Sequence, residues 1–264
     1  MGPLPRPTAL LLDFGGVVVT GTPRPGWAAE LAAEVHRSLT AAGCGGPDAG
    51  HIEADLRAGA AADAHWRNAM SRPAAPEEMS HHRFWTEFVA ADWPAAARAH
   101  VAAHAGPLCR RVAELRQHRV ARPGTDRLLG AAERAGVPVA IVSNALSGPV
   151  HRDFLAAHGF AERIAAQVYS DEAGVRKPNP EMIRLAARAL GVEPPGCWYV
   201  GDNYDRDVLC GRRAGVGATI LMEAPGTYDR PYPVRAEPDA VVAGPDGLRA
   251  LLAEATTGTE GSAC

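Results

Sequence analysis

The amino-acid sequence predicts an α/β fold in which a doubly wound parallel sheet carries an inserted all-helical cap domain. From residue 122 onward, short apolar segments alternate with helical segments, the pattern of a parallel sheet covered on both faces. Upstream, one apolar strand near the N-terminus precedes an Ala-rich stretch with helical periodicity and no strand signal. We therefore assign residues 1–21 and 121–264 to the core and residues 22–120 to the cap.

The core elements follow one another at the spacing of β–α–β units. The first strand is the apolar run at residues 10–12, which ends at Asp13 and a Gly-rich turn. The later strands are predicted at residues 137–142, 165–169, 197–200, 218–222 and 240–242. The intervening helices are predicted at residues 124–135, 148–158, 180–190, 205–214 and 246–254. This order indicates a Rossmann-like core, in which ligands bind at the carboxyl ends of the strands.

Composition excludes several classes of protein. The chain of 264 residues is 47% hydrophobic and has a net charge of −3, so it lacks a general attraction for nucleic acid or anionic membrane. No apolar run approaches the length of a membrane span, and the N-terminal residues do not resemble a signal peptide. Five scattered cysteines without a CxxC pair are typical of a reduced compartment. We expect a cytoplasmic protein that acts on a small molecule, without a nucleic-acid or membrane partner.

Four strand ends carry residues suited to phosphate chemistry. Asp13 follows the first strand, Ser143 the second and Asp202 the fourth, while the loop after the third contains Lys177. Carboxylates bind Mg²⁺ well, and Asp13 is also a candidate covalent nucleophile. Ser143 and neighbouring backbone N–H groups are candidates for binding phosphoryl oxygens, and Lys177 for neutralising charge between Asp13 and the substrate.

Each of these residues also has an ordinary structural explanation. Asp13 alone would suit a turn at a strand end, and Ser143 with Asn144 would suit a helix N-cap. Lys177 alone would suit a solvated loop, but it is the single lysine among 27 Lys and Arg residues. A solvated cation in this chain would be expected to be Arg, and an ammonium is not interchangeable with a guanidinium. The sequence thus favours a specific role for Lys177.

Four motifs in order resemble those of the haloacid dehalogenase-like (HAD) hydrolase superfamily, subclass I, which has a helical cap inserted after the first strand. They read LLLDFGGVV, AIVSNA, GVRKPNPEM and YVGDNYDRDVLCGRRAGV. The resemblance implies an Mg²⁺-dependent phosphatase that forms an aspartyl-phosphate on Asp13, with Lys177 and Ser143 as further catalytic residues. The implied metal ligands are Asp13, the Gly15 carbonyl and Asp202, with Asp207 more distant. The implied phosphate contacts are Ser143, Asn144, Gly16 and Lys177.

The chain departs from the phosphatase pattern at Gly15. Phosphatases of this superfamily usually carry there a second Asp that protonates the leaving group and then activates water. A backbone carbonyl at Gly15 preserves metal binding but not acid–base catalysis. The departure leaves several hypotheses open. The enzyme acts on good leaving groups such as sugar 1-phosphates or acyl phosphates, or a cap histidine replaces the acid, with His65, His81 and His82 as candidates.

Two other classes of function are alternatives. The superfamily's haloacid dehalogenases also lack the second Asp, but they lack Mg²⁺ as well, whereas the segment GDNYDRD resembles the metal-binding version. A non-catalytic protein that binds a phosphorylated ligand or a partner would equally tolerate the loss of the acid. Phosphate release that depends on Asp13 separates the phosphatase from both alternatives.

Overall fold

The computed structural model describes residues 4–257. Its strands are β1 (Ala9–Leu12), β2 (Val19–Pro23), β3 (Gln117–Ala121), β4 (Val139–Ser143), β5 (Ala166–Tyr169), β6 (Cys197–Gly201), β7 (Ala218–Met222) and β8 (Ala240–Val242). Six of them form a fully parallel sheet in the order β5-β4-β1-β6-β7-β8. β1 lies between β4 and β6, with Leu10 paired to both Val139 and Trp198. The predicted α/β fold is confirmed, and the bounds of the sheet's strands lie within two residues of the predicted ones.

The side chains of β1 are apolar on both faces of the sheet, which explains why both faces are buried. Leu10 and Leu12 contribute to one apolar cluster, while Ala9 and Leu11 contribute to the cluster on the opposite face. Successive side chains of a strand point to opposite faces, so a continuously apolar strand requires helices on both sides. Burial on both faces leaves the strand ends as the accessible edge of the sheet.

Helices of the core cover these two faces. They are α6 (Thr125–Arg134), α7 (Gly148–Ala157), α8 (Ser170–Ala173), α9 (Glu181–Leu190), α10 (Leu209–Ala214) and α11 (Pro245–Thr257). Leu128 and Leu252 of α6 and α11 are buried in the cluster with Leu10, whereas Met182 of α9 is buried in the cluster with Leu11. The helix predicted from residue 205 begins instead as a π-helix, Tyr204–Val208, before α10.

The inserted region contains the remaining helices. They are α1 (Trp27–Ala41), α2 (Ala49–Met70), α3 (His81–Arg83), α4 (Ala95–Ala103) and α5 (Ala105–Leu115), with a π-helix at Phe84–Val89. The chain divides into a core unit and an inserted unit, the latter comprising Thr22–Met70 and Glu78–His118. Among the described residues, no helix is both long and apolar enough to cross a membrane.

The structure differs from the expected insertion in two respects. Residues Ser71–Glu77, expected in the cap, group with the core because the Pro76 carbonyl accepts hydrogen bonds from the Arg176 N–H and the Asn179 side chain, each at 3.3 Å. The cap was also expected to be free of strands. That expectation is wrong at its two ends, because β2 and β3 pair as a two-stranded sheet. Their short sequences, VTGTP and QHRVA, lack the apolar run that marks a buried strand.

Candidate active site

Lys177 lies at the centre of a buried cluster of charges beyond the sheet edge. Its Nζ is 2.9 Å from Asp13 Oδ1 and 2.6 Å from Asp207 Oδ1. The lysine is only 2% exposed, so the interpretation of a solvated loop cation is wrong. Burying an ammonium is costly unless carboxylates surround it, and here two carboxylates do.

Asp207 is fixed by four hydrogen-bond donors. Its Oδ1 accepts from Lys177 and from the Tyr199 hydroxyl, the latter at 2.7 Å. Its Oδ2 accepts from the backbone N–H groups of Asp202 and Asn203 at 3.2 and 3.0 Å. The Asp207 carboxylate therefore anchors Lys177 and the loop that carries Asp202.

Burial and charge determine the protonation of this cluster. Burial alone would lower the pKa of Lys177, but the charges of Asp13 and Asp207 outweigh it and raise that pKa. Burial alone would raise the pKa of Asp207, but the charge and hydrogen bond of Lys177 lower it. Lys177 is therefore cationic and Asp207 anionic at neutral pH. Burial raises the pKa of Asp13, with the charge of Lys177 acting in the opposite direction.

The three acidic side chains form a candidate metal centre. Asp13, Asp202 and Asp207 each offer a carboxylate oxygen within 4.8 Å of the others. Burial, together with the charges of Asp207 and Asp13, raises the pKa of Asp202 to about 8. Three carboxylates and one ammonium leave two net negative charges when all are ionised, the amount that one Mg²⁺ ion balances. Oxygen donors and this charge both fit Mg²⁺.

The loop after β1 orients Asp13 and exposes a free carbonyl. The Phe14 N–H donates to Asp13 Oδ1 at 2.7 Å. On either side of Gly15, the Val19 N–H donates to the Phe14 carbonyl at 3.0 Å and the Gly16 N–H donates to the Val19 carbonyl at 2.9 Å. Within residues 4–257 the Gly15 carbonyl accepts no hydrogen bond. That free oxygen is consistent with a metal ligand.

The two glycines of this loop have different steric surroundings. Gly16 has φ of +71°, and a Cβ there would collide with the Asp202 carboxylate. A Cβ at Gly15 would meet no atom within 4 Å. Gly16 is thus required by close approach and by its left-handed backbone, whereas Gly15 is not required by space.

Comparison with known proteins gives the family. The profile of haloacid dehalogenase-like hydrolases matches residues 7–215, which contain Asp13, Lys177, Asp202 and Asp207. The chain belongs to the haloacid dehalogenase-like hydrolase family. The resemblance that the four motifs carry is therefore confirmed for the family.

Several curated relatives of this HAD hydrolase are named as phosphatases. A phosphoserine phosphatase of Thermus thermophilus is 34% identical over 133 residues, 50% of this chain and 51% of the relative. An N-acetylmuramic acid 6-phosphate phosphatase of Pseudomonas aeruginosa is 36% identical over 94 residues, 35% of this chain and 40% of the relative. The chain thus spans about half of the length of the first relative and 40% of the second.

A solved structure extends the likeness in fold over most of the HAD hydrolase. The HAD phosphatase from Thermococcus onnurineus aligns with a TM-score of 0.57 and 17% identity, covering 92% of this chain and 97% of that one. At this identity the comparison concerns the fold alone.

The residues expected at the phosphate of this HAD hydrolase have distinct surroundings. The Asn144 side chain accepts a hydrogen bond from the Lys177 N–H at 2.8 Å and donates one to the Lys177 carbonyl at 3.1 Å. Ser143 is buried at the end of β4, and its hydroxyl makes no hydrogen bond within residues 4–257. Neither residue caps a helix, because α7 begins only at Gly148 and is preceded by Ser147.

Sequence reasoning missed several residues that surround the site. Tyr199 holds Asp207, and its only sequence signal is a hydroxyl within an otherwise apolar strand. Arg122 donates hydrogen bonds to the Gly16 and Ala243 carbonyls, which no motif indicates. The His151 ring stacks on Phe14 with centroids 4.0 Å apart. Burial, with the charges of Arg119 and Lys177, lowers the pKa of His151 to about 3, so it does not supply the missing acid.

The histidines that were candidates for the missing acid all lie in the inserted unit. His65 belongs to α2, whereas His81 and His82 belong to α3. That one of these histidines supplies the acid absent at Gly15 stays a hypothesis.

Proposed function

We propose that this HAD hydrolase is an Mg²⁺-dependent phosphatase that transfers the phosphoryl group of a small metabolite to Asp13. The observation that carries the proposal is the contact of Lys177 with both Asp13 and Asp207 beside a third carboxylate, Asp202. This arrangement places a candidate nucleophile, a buried cation and a candidate divalent-metal centre at one sheet edge. The phosphatase names of several relatives support the same reaction class.

The donor set suits Mg²⁺ bound directly by Asp13, Asp202 and the Gly15 carbonyl. Asp207 supports this set indirectly, because its oxygens already accept four hydrogen bonds. When bound, the ion neutralises charge on the phosphoryl oxygens. Lys177 adds a second positive charge on the side of Asp13, where the phosphoryl group is transferred.

The chain's own residues account for the two halves of the reaction. An Asp13 carboxylate oxygen attacks phosphorus, and the bond from phosphorus to the leaving oxygen breaks, giving an aspartyl-phosphate and the departing anion. Water then attacks phosphorus, inorganic phosphate leaves, and the Asp13 carboxylate is restored. The Phe14 N–H orients the nucleophile through its hydrogen bond to Asp13. Ser143 and the backbone at Gly16 are proposed to bind phosphoryl oxygens, and Asn144 to position Lys177.

Gly15 narrows the proposed substrate class. The loop carries no side-chain acid at this position, and His151 is neutral, so a leaving group receives no proton from either residue. We therefore propose good leaving groups, such as those of sugar 1-phosphates or acyl phosphates. The proposed compartment is the cytoplasm, where such metabolites and a reduced chain with dispersed cysteines occur together.

A panel of phosphorylated metabolites and aryl phosphates, assayed for phosphate release with Mg²⁺, tests the proposal. Wild type is expected to release phosphate, and Asp13→Asn to lose about 10³-fold or more in rate while keeping its fold. Halide release from a 2-halo acid that is indifferent to chelator would instead show a dehalogenase. Ligand binding without turnover of any activated phosphate would show a binding protein.

A further inference from the structure

All the residues that line one cavity belong to the inserted unit. This cavity has a volume of about 420 Å³ and is lined by Arg24, Trp27, Arg57, Arg116, Gln117 and residues of the Pro23–Gly26 turn. This volume is within the range of small-molecule sites. The Arg116 guanidinium lies 5.9 Å from the centre of the Trp27 ring, so a cation and an aromatic face line the same space.

One guanidinium of this cavity has no carboxylate partner. Arg24 pairs with Glu30 at 2.6 Å, and Arg57 pairs with Glu53 at 2.7 Å. Arg116 makes no ion pair within the described residues 4–257. The nearby Asp63 carboxylate is engaged by Arg67 at 3.1 Å. Within the described residues, the cavity therefore contains one guanidinium that makes no ion pair, although the charge of Asp63 acts on it from a distance.

The start of α1 reinforces this charge. Gly26, in a left-handed conformation with φ of 80°, precedes the helix and supplies no side chain to cap its first N–H groups. Helix N-termini carry partial positive charge and free donors that bind anions. Glu30 of the first turn offsets part of this field, but it is held by Arg24 and Arg111. Burial, with the charge of Arg67, lowers the pKa of Arg116, and the charge of Asp63 offsets this only in part, so the guanidinium is partly withdrawn from solvent.

Other cap cations lack this combination. Arg67 and Arg83 make ion pairs with Asp63 and Glu87, respectively. Arg72 belongs to the core unit and stacks over Tyr232. Arg116 differs from these arginines because it lies in a cavity that also contains the Trp27 ring and the first residues of α1.

We propose that the cavity beside Arg116 and Trp27 is a second anion-binding site, which takes a phosphate- or phosphonate-bearing compound with an aromatic ring. The anionic group contacts the Arg116 guanidinium and the first N–H groups of α1, and the ring packs on Trp27. The site does not depend on the chemistry proposed at Asp13, so it can be tested without turnover.

Titration with phenylphosphonate in the presence of EDTA tests this site, because its carbon–phosphorus bond is not a phosphate ester. The readout is the indole N–H resonance of Trp27, assigned by its loss in Trp27→Phe. We expect a saturable shift of this resonance in wild type. In Arg116→Gln the affinity is expected to fall about tenfold or more, because a charge-assisted hydrogen bond is lost.

Arg110→Gln is the matched control, since Arg110 lies on α5 outside the cavity and pairs with Glu114 at 2.9 Å. Its affinity should equal that of wild type. Inorganic phosphate in a parallel titration distinguishes the ligands: a shift by both shows that the anion suffices, and a shift by phenylphosphonate alone shows that the ring is required. Absence of a saturable Trp27 shift, or equal affinity in wild type and a folded Arg116→Gln, would overturn the proposal.

Discussion

Asn144 holds Lys177 by its backbone, accepting from its N–H at 2.8 Å and donating to its carbonyl at 3.1 Å. The Lys177 side chain then extends to Asp13 and Asp207. The Asn144 carboxamide thus fixes the backbone of Lys177, and the Lys177 ammonium neutralises Asp13, the candidate nucleophile. Asn144 acts as a positioning residue through this contact.

Replacing Asn144 tests that role. Asn144→Ala removes both hydrogen bonds, and each is worth about 1 kcal/mol, so we expect kcat to fall about tenfold or more with a smaller change in KM. Asn144→Asp keeps an acceptor for the Lys177 N–H but cannot donate to the carbonyl, and its activity should be intermediate. Steady-state kinetics on an aryl phosphate measure the difference. Equal kcat in all three proteins would contradict a positioning role.

Lys177 should be essential for stability as well as activity. Lys177→Met leaves Asp13 and Asp207 buried beside each other without a cation, so the free energy of unfolding is expected to fall by about 3–5 kcal/mol. Lys177→Arg should not restore activity, because a planar guanidinium does not fit the space of an ammonium that is 2% exposed.

Urea unfolding in EDTA, followed by circular dichroism, measures this change without any contribution from bound metal. Arg188→Met provides a surface control, since Arg188 pairs with Glu181 on exposed α9 positions. A loss below about 1 kcal/mol in Lys177→Met, equal to that of the control, would show that the charge cluster does not need its cation.

The space around Gly15 predicts a gain of function. Gly15→Asp should fold, because a Cβ there meets no atom within 4 Å. We expect its rate on alkyl phosphates to rise about 10²-fold, since a positioned acid protonates a poor leaving group. The isosteric Gly15→Asn should give no such rise. Wild type should show a steep dependence of rate on leaving-group pKa, and a flat dependence would reveal a surrogate acid.

Gly16→Ala is the steric counterpart of this experiment. Its Cβ would collide with the Asp202 carboxylate, and φ of +71° adds backbone strain. Thermal unfolding should show a clear loss of stability for Gly16→Ala and little change for Gly15→Ala. Similar melting temperatures for the two variants would contradict the assigned geometry.

Stabilisation by Mg²⁺ should depend on pH through Asp202. Its raised pKa of about 8 means that the folded, metal-free protein retains a proton which Mg²⁺ must displace. The increase in melting temperature with saturating Mg²⁺ should therefore be larger at about pH 8.5 than at about pH 6.5. Asp202→Asn should abolish most of this increase at both pH values, and an unchanged increase would place the metal elsewhere.

In EDTA, without bound metal, Asp202 should make the folded protein less stable as the pH rises. The Asp202 carboxyl has a pKa of about 8 in the folded protein and an ordinary value of 3.8 in the unfolded chain. Between about pH 4 and pH 8 the unfolded chain releases this proton while the folded protein keeps it, so the free energy of unfolding declines as the pH rises. Asp202→Asn should flatten that decline. Differential scanning calorimetry across this range measures it, and parallel pH profiles for the two proteins would argue against a raised Asp202 pKa.

The sequence by itself determined the parallel sheet and the residues at its carboxyl edge. Apolar runs alternating with helices dictate the layers, and strands buried on both faces can present polar residues only at their ends, so Asp13, Lys177 and Asp202 were recognisable by position. The short strands β2 and β3 were not recognisable, because neither carries a periodic apolar pattern.

Only the tertiary structure decided which atoms meet. Asn144 binds the Lys177 backbone, Tyr199 donates a hydrogen bond to Asp207, and Ser71–Glu77 groups with the core. Local sequence patterns do not predict these contacts. The open space beside Gly15 and the cavity beside Arg116 likewise exist only where packed elements leave room. Local periodicity encodes which face of an element is buried, but distances between side chains arise only when the elements pack together.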